Sequence, residues 1–314
     1  MRVAIIGAGG MGALFGAILS EGGLDVVLVD PDATHIDAIK RDGLRISGYG
    51  GDRVQRLAAI TDPAEIGQAD VLLFQCKAPA TRAAAEACRY LTDAGAVAIS
   101  FQNGLGNEEV MSEVMGANSV LGGVTQMAGL RLGPAHIQDF SRVPGWIGEM
   151  SGGISDRTAR IAETFTSAGL ETHASPDIAG DIWRKLLGNI SLSAVSGATD
   201  LTSAEALSVP ELKALSLSAL DEALAVGAAE GIQMDREKAL AGMEAISARG
   251  GTGDNKSSLC VDLLNGRQSE VDFIYGSVIE RARKHGIATP VLSTLHAIVK
   301  GMESKQQGGI NART

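Results

Sequence analysis

The sequence predicts an α/β protein in which a doubly wound parallel sheet is followed by an all-α domain. In roughly the first half, short apolar runs alternate with helical patterns, which is typical of repeated strand–helix–strand units. From Asp177 onward the apolar spacing is helical almost throughout. A chain of 314 residues is long enough for two domains. We expect residues 1–174 to form the first domain and residues 175–314 the second.

The predicted strands of the sheet are short apolar runs that end in glycine, proline or polar residues. They are Val3–Ile6, Asp25–Val29, Val71–Gln75, Ala96–Phe101 and Val120–Val124, with a further strand near Pro144–Ile147. A helix is expected from Met11 to Ser20. The stretch between Gly43 and Ile60 is interpreted as a small β excursion outside the main strand–helix pattern.

The second half is predicted to contain helices that are closed by glycines at Gly231 and Gly286. The expected helices are Ile178–Ser193, Pro210–Glu230, Arg236–Ser247, Ser258–Asn265, Glu270–His285 and Pro290–Met302. The tail Lys305–Thr314 is expected to be frayed.

Composition excludes several classes of function. Acidic residues outnumber basic ones by 37 to 27, and a net charge of −10 argues against general binding to nucleic acid or to anionic membranes. The three cysteines, Cys76, Cys88 and Cys260, are too widely spaced to indicate a disulfide framework or a zinc site, so no metal is expected. No run approaches the roughly 20 apolar residues of a membrane span. The N-terminal apolar run is too short for a signal peptide, so we expect a cytoplasmic protein.

A glycine-rich turn follows the first strand and opens the first helix. Its G-x-G-x-x-G pattern consists of Gly7, Ala8, Gly9, Gly10, Met11 and Gly12. Glycine at the first position permits a tight turn, at the third it lets the backbone approach a pyrophosphate, and at the last it lets helix and strand pack closely. The helix N-terminus adds N–H groups that favour phosphate. This arrangement predicts a dinucleotide site of the Rossmann type, with a purely structural glycine turn as the alternative.

Asp30 ends the second strand, 18 residues after Gly12. A carboxylate at this position can accept hydrogen bonds from ribose hydroxyls and would repel a 2′-phosphate, so it favours NAD(H). The nearest basic residue downstream is Lys40. The alternative role for Asp30 is to cap the turn before Pro31.

Polar residues follow two further strands at the edge of the sheet where ligands of open α/β sheets bind. Lys77 comes after Val71–Gln75, and Gln102-Asn103-Gly104 follows Ala96–Phe101. Their shared position makes them candidates for ligand contacts, although each is also compatible with an ordinary loop.

Within the predicted helix Ile178–Ser193, the side chains of Lys185, Asn189 and Ser193 recur every four residues and share one face. Because the neighbouring residues are apolar, these polar groups need partners or a ligand. A lysine that extends to solvent is the alternative.

Two helix starts carry further candidates. Ser257 or Ser258 can cap the helix that follows Asn255. Glu270 opens the next helix, where a carboxylate suits the helix dipole. Ser269 with Asp272 three residues later forms a near capping box.

Together these residues resemble the ketopantoate reductase (2-dehydropantoate 2-reductase) family over nearly the full length. The resemblance rests on the glycine turn, Lys77, the loop Gln102-Asn103-Gly104-Leu105-Gly106, Ile182-Trp183-Arg184-Lys185-Leu186-x-x-Asn189, Ser257-Ser258, Gly266-Arg267-x-x-Glu270-x-Asp272 and Ala282-x-x-His285-Gly286-Ile287. It implies a Rossmann domain, a helical domain, catalysis in the cleft between them, and a homodimer.

The resemblance also implies site residues. Lys185 would donate a proton to the substrate carbonyl, and Glu270 would help fix Lys185 and contact the cofactor. Lys77, Asn103 and Gly129 would meet the cofactor, in addition to the glycine turn and Asp30. The substrate ligands would be Asn103, Lys185, Asn189, Ser193, Asn255 and Ser258.

Two departures bear on specificity. The family usually has Asn followed by Pro where this chain has Ser193-Ala194, and NADPH-dependent members often have a basic residue where this chain has Asp30. The expected function is NAD(P)H-dependent reduction of 2-dehydropantoate or a related branched 2-oxo acid, with a preference for NADH. The alternatives are a β-hydroxyacid dehydrogenase and a non-catalytic dinucleotide-binding sensor.

Overall fold

The computed structural model describes residues 1–306, which group into two compact units. The first unit comprises Met1–Gln102 and Asn107–Asp181, and the second comprises Asn103–Gly106 and the chain from Ile182 onward. The short segment Asn103–Gly106 therefore belongs to the second unit, although its neighbours in sequence belong to the first.

Twelve strands in the first unit form two sheets. They are β1 (Arg2–Ile6), β2 (Asp25–Val29), β3 (Leu44–Gly48), β4 (Arg53–Gln55), β5 (Ala58–Ile60), β6 (Val71–Phe74), β7 (Val97–Ser100), β8 (Val120–Thr125), β9 (Ala128–Gly133), β10 (His136–Ser141), β11 (Gly145–Glu149) and β12 (Thr172–Ala174). The larger sheet has the order β12-β11-β8-β7-β6-β1-β2-β5, and only β8 and β11 pair antiparallel in it. The order reverses at β1, which is where ligands bind in doubly wound sheets.

Helices cover both faces of the larger sheet, as the sequence predicts. They are α1 (Gly10–Glu21), α2 (Ala33–Asp42), α3 (Thr81–Asp93), α4 (Asn107–Met115) and α5 (Asp156–Ser167). Alternate residues of β1 point to opposite faces. Val3 and Ile5 join the apolar core that includes Phe15 of α1, whereas Ala4 and Ile6 join the core that includes Leu91 of α3. The doubly wound architecture is confirmed.

The smaller sheet has the order β4-β3-β10-β9. Strands β3 and β4 account for most of the predicted β excursion, while β5 joins the edge of the larger sheet beside β2. The β9–β10 hairpin was not predicted. The sequence features that indicate this hairpin are the turn at Gly133-Pro134 and the alternation around Leu130 and Leu132. The side chains of both leucines are exposed rather than buried.

The described part of the second unit is built from α-helices, one π-helical turn and short 3-10 turns, which confirms the all-α prediction. The helices are α6 (Ile178–Thr199, whose first turn lies in the first unit), α7 (Ser203–Ser208), α8 (Pro210–Ala229), α9 (Arg236–Ile246), α10 (Ser258–Leu264), α11 (Ser277–Lys284) and α12 (Pro290–Gln306). The predicted helix Glu270–His285 is divided, because Asp272–Gly276 forms a π-helical turn before α11. Most of the tail that was expected to be frayed lies outside the described residues; Lys305 and Gln306 extend α12. Among the helices of residues 1–306, none is both long and apolar enough to cross a bilayer.

Candidate active site

Close packing requires glycine at two positions of the glycine turn. Gly7 has a φ of 99°, and a Cβ there would lie 2.4 Å from the backbone nitrogen of Cys76. A Cβ on Gly12 would lie 1.9 Å from the carbonyl oxygen of Gly7. Both positions therefore exclude any side chain, as the dinucleotide fingerprint requires.

Gly9 differs from Gly7 and Gly12. A Cβ built on Gly9 meets no described atom within 4 Å, so its backbone faces open space. Gly9 is also the N-cap of α1; no described side chain caps that helix, and its first turn carries no acidic residue. The N-terminus of α1 thus borders open space, here called the cradle, which a Cβ on Gly9 would begin to fill. This geometry fits the pyrophosphate of a dinucleotide.

Asp30 holds the glycine turn from the end of β2. One carboxylate oxygen accepts a hydrogen bond from the backbone N–H of Ala8 at 2.8 Å. The other oxygen accepts from the N–H of Asp32 at 3.0 Å, which stabilises the turn through Pro31. The predicted turn role is thus observed. Each oxygen retains a second lone pair, so the ribose role stays a prediction.

Strand β9 lies against the glycine turn. A Cβ on Gly10 would be 2.6 Å from the carbonyl oxygen of Gly129, and a Cβ on Gly129 would be 3.3 Å from the sulfur of Met11. Gly129 therefore belongs to the same corner of the first unit as the fingerprint. Two residues further along β9, Arg131 pairs with Asp32, the N-cap of α2. Arg131 is not among the residues predicted from the sequence, because the β9–β10 hairpin was not predicted.

The loops after β6 and β7 are tied together by a buried amide. The Nε2 of Gln102 donates to the carbonyl oxygen of Cys76 at 2.8 Å and to the hydroxyl of Thr81 at 2.7 Å. Gln102 is therefore a structural residue of the first unit. Lys77 follows Cys76 and is exposed at the carboxyl edge of the sheet.

Three predicted site residues converge in the second unit. The ammonium of Lys185 on α6 donates to the Oδ1 of Asn103 at 2.8 Å. The Nδ2 of Asn103 donates to a carboxylate oxygen of Glu270 at 3.3 Å. Asn103 is 82 positions from Lys185 and 167 positions from Glu270 in the sequence, so the fold alone brings the three residues together.

The π-helical turn positions Asn103. The N–H of Leu105 donates to the carbonyl oxygen of Phe273 at 2.8 Å. Gly104 has a φ of 91°, and a Cβ there would lie 2.5 Å from the same oxygen. The segment Asn103–Gly106 can approach Phe273 this closely because position 104 is glycine.

The environment of Lys185 changes its acidity. Burial lowers the pKa of Lys185 to about 8, and the carboxylate of Glu270 partly opposes this effect by favouring the charged amine. Glu270 is 6% exposed, so the two groups act on each other with little solvent screening. A lysine with a pKa lowered by burial beside a specific carboxylate is typical of a functional site.

The remaining substrate candidates lie along α6 and at the start of α10. Ser193 is buried, and its carbonyl oxygen accepts from the hydroxyl of Ser257 at 3.2 Å. Ser257 caps α10 by accepting from the N–H of Cys260, so it takes the cap role that the sequence left open between two serines. Asn255 lies two residues before Ser257, Ser258 directly follows it, and both Asn255 and Ser258 are exposed. Asn189 lies between Lys185 and Ser193 on α6 and is partly buried.

Comparison with known proteins gives full-length matches. The family model described as ketopantoate reductase PanE/ApbA matches residues 3–152, and its C-terminal companion matches residues 177–303. A 2-dehydropantoate 2-reductase of Halobacterium salinarum is 33% identical over 301 residues, covering 96% of this chain and 98% of the relative. That of Archaeoglobus fulgidus is 31% identical over 309 residues, with the same coverage.

Solved structures agree with these matches. The ternary structure of D-mandelate dehydrogenase with NADH and anilino(oxo)acetate superposes with a TM-score of 0.94 at 25% identity, covering 98% of this chain and 100% of the other. A PanE/ApbA family ketopantoate reductase from Ralstonia eutropha gives 0.90 at 29% identity with the same coverage. The resemblance predicted from the motifs is confirmed: the chain belongs to the ketopantoate reductase family of dinucleotide-dependent oxidoreductases.

Proposed function

We propose that the protein reduces a 2-oxo acid, 2-dehydropantoate or a related branched compound, to the 2-hydroxy acid. The observation that carries the proposal is the Lys185–Asn103–Glu270 cluster, in which burial lowers the pKa of a lysine to about 8. The names of the curated relatives, 2-dehydropantoate 2-reductase, support the same reaction. A bound reduced nicotinamide would supply the hydride.

Lys185 is the proposed proton donor. Negative charge develops on the carbonyl oxygen as hydride arrives, and a positioned ammonium stabilises that charge before it transfers a proton. Glu270 accepts from the amide nitrogen of Asn103, which directs the amide oxygen toward the ammonium of Lys185. Only one ammonium proton is used in this contact, so two remain for the substrate. The carboxylate keeps the amine charged near neutral pH.

The cofactor site is proposed for the first unit, and the substrate ligands for the second. The N–H groups at the start of α1 would bind the pyrophosphate, and Asp30 would bind the ribose. Lys77 and Gly129 would meet the nicotinamide half, and cofactor contacts from Asn103 and Glu270 stay a prediction from the family resemblance. NADH is favoured by Asp30 and by its presence in the D-mandelate dehydrogenase complexes.

The substrate side chain is proposed to be recognised along α6 and α10 by Asn189, Ser193, Asn255 and Ser258. Ser193 is smaller than the family's usual asparagine and offers a single hydroxyl, so it leaves more room and fewer hydrogen bonds for a substrate hydroxyl. The D-mandelate dehydrogenase complex supports a second candidate, an aryl 2-oxo acid, because the anilino(oxo)acetate in that structure carries an aromatic ring.

The test follows reduced-nicotinamide absorbance with NADH and NADPH against 2-dehydropantoate, branched 2-oxo acids and benzoylformate. We expect Lys185→Met to lose a factor of about 10²–10⁴ in kcat, the usual weight of general acid catalysis, while NADH binding is retained. Lys213→Met, at an exposed lysine of α8, is the matched control. Near-normal kcat in Lys185→Met would remove this residue from the mechanism. Cofactor binding without turnover of any 2-oxo acid would instead favour the dinucleotide-binding sensor.

The assembly is a separate part of the proposal. We infer a homodimer because members of the family often dimerise. Light scattering coupled to size-exclusion chromatography measures the mass of the protein in solution directly. A mass of about 32 kDa in solution would identify a monomer.

A further inference from the structure

An acidic and a basic side chain from distant strands meet beside Asp30. Asp32 follows β2 and caps α2 by accepting from the N–H of His35 at 3.1 Å. Its other carboxylate oxygen accepts from the guanidinium of Arg131 on β9. Each side chain is about one-third exposed, at 36% and 33%, so both can still be reached by a ligand. Arg131 lowers the pKa of Asp32, which keeps the pair ionised at neutral pH.

The pair lies at the part of the glycine turn where Rossmann folds bind the adenosine ribose. Asp30 links the two features, since it accepts from Ala8 in the turn at 2.8 Å and from Asp32 at 3.0 Å. Strand β9 also lies close to the glycine turn, because a Cβ on Gly10 would lie 2.9 Å from the backbone nitrogen of Arg131.

The hairpin that carries Arg131 is anchored to α2. The Nδ1 of buried His35 accepts from the N–H of Ala135 in the β9–β10 turn at 3.1 Å. Burial lowers the pKa of His35, and the Arg131 charge acts in the same direction, so its ring stays neutral. Arg131 is thereby held over Asp32 by the fold as well as by the ion pair.

Charge decides which cofactor this corner favours. Asp30, Asp32 and Arg131 carry two negative charges and one positive charge. The hydroxyls of an NADH ribose can donate to the carboxylate of Asp30, whereas the 2′-phosphate of NADPH meets a site of net negative charge whose guanidinium is already paired with Asp32. Arginine forms bidentate bonds to phosphate as well as to carboxylate, so the two anions compete for the same donors.

We propose that Asp32 and Arg131 together set the choice between NADH and NADPH. Arg131 is the anion-binding group available to a 2′-phosphate, and Asp32 competes with that phosphate from within the chain. The inference rests on the proposed function, since it assumes that the glycine turn binds a dinucleotide. It assigns the basic contact to β9, a strand remote in sequence from the end of β2.

The experiment measures Kd for NADH and NADPH by the fluorescence of bound reduced nicotinamide. We expect Asp32→Asn to tighten NADPH binding about tenfold with little change for NADH, because it frees Arg131 and retains the helix cap. Arg131→Met should weaken NADPH binding about tenfold. The double variant Asp32→Asn/Arg131→Met should not show the tighter NADPH binding that is expected for Asp32→Asn alone. The matched control is the exposed Arg45–Asp52 pair of the same small sheet, replaced by Arg45→Met and Asp52→Asn.

A second ligand pair isolates the phosphate. Adenosine 2′,5′-bisphosphate carries the 2′-phosphate and ADP does not, and both lack the nicotinamide. By calorimetry, Asp32→Asn should tighten the binding of adenosine 2′,5′-bisphosphate as it does that of NADPH, with little change in the Kd for ADP. If neither variant changes the NADPH-to-NADH ratio while both lower the Tm, the pair only anchors the hairpin and the inference is overturned. Wild-type protein that binds neither cofactor would overturn the proposed function together with it.

Discussion

Lys185 has an acidity unlike that of an ordinary, solvent-exposed lysine. Its amine is held by the Oδ1 of Asn103 at 2.8 Å, and burial lowers its pKa to about 8. The sequence predicted that this lysine needs a partner, because its helix neighbours are apolar. It did not show that Asn103 lies between Lys185 and Glu270, since that geometry depends on contacts across 82 and 167 positions.

Turnover should depend on pH through Lys185. The proton donor must be charged, and a lysine with a lowered pKa loses its proton as pH rises through about 8. We therefore expect kcat for reduction to be constant at lower pH and to fall above about pH 8. Glu270 raises the pKa of Lys185 through its charge, so Glu270→Gln should move this inflection to lower pH.

Turnover is measured under saturating substrate from pH 6 to 10, with Glu280→Gln as the control. Glu280 is an exposed acid on α11 that pairs with Lys284. An inflection in Glu270→Gln at or above that of the wild type would show that Glu270 does not act on Lys185 electrostatically.

At the scale of elements, two hydrogen-bonding arrangements in the second unit join residues that are far apart in sequence. The near capping box predicted for Ser269 and Asp272 does not form. Instead, buried Glu303 of α12 accepts from the N–H of Ser269 at 2.8 Å and from its hydroxyl at 2.7 Å. Asp272 bonds to His296 and Lys300 of the same helix. The cap next to Glu270 comes from 34 residues away, which no local motif can indicate.

The second arrangement is a tyrosine hydroxyl that bonds to backbone groups of α6. The hydroxyl of Tyr275 accepts from the N–H of Ala194 at 3.0 Å and donates to the carbonyl of Ile190 at 2.6 Å, two groups that would otherwise bond each other. Tyr275 lies in the π-helical turn and is fully buried. One hydroxyl thus joins the π-helical turn to the part of α6 that carries the proposed substrate ligands Asn189 and Ser193.

Replacing this hydroxyl should cost stability. We expect Tyr275→Phe to lower the free energy of unfolding by about 1–3 kcal/mol, because two buried backbone groups of α6 lose the hydroxyl that lies between them. Urea unfolding monitored by circular dichroism measures the change. Tyr90→Phe serves as the comparison, since that tyrosine is 40% exposed and its hydroxyl donates to the carbonyl of Pro63 at the surface. Equal losses in both variants would show that Tyr275 acts through burial of its ring alone.

For the whole molecule, periodicity was sufficient to predict the class of each half. The alternation of apolar strands and helical patterns predicted the parallel sheet, and the change to helical spacing near Asp177 predicted the all-α unit. The small sheet was only partly predicted, because its outer face exposes apolar side chains such as Leu132 and Phe140. The grouping of Asn103–Gly106 with the second unit was unpredictable for a different reason, since it depends on the contact with Phe273.

Dinucleotide binding should also be measurable as a change in the stability of the entire fold. A dinucleotide that binds only the folded protein should stabilise it by about 2.7 kcal/mol at one hundred times its Kd. Gly9→Ala is expected to leave the Tm of the free protein unchanged, because its Cβ meets nothing within 4 Å and its φ of −64° suits alanine. The same Cβ enters the proposed pyrophosphate cradle, so the shift of Tm with NADH should be lost. Gly12→Ala should instead lower the Tm of the free protein, because its Cβ would lie 1.9 Å from the oxygen of Gly7. A full NADH shift in Gly9→Ala would place the dinucleotide elsewhere than against the N-terminus of α1.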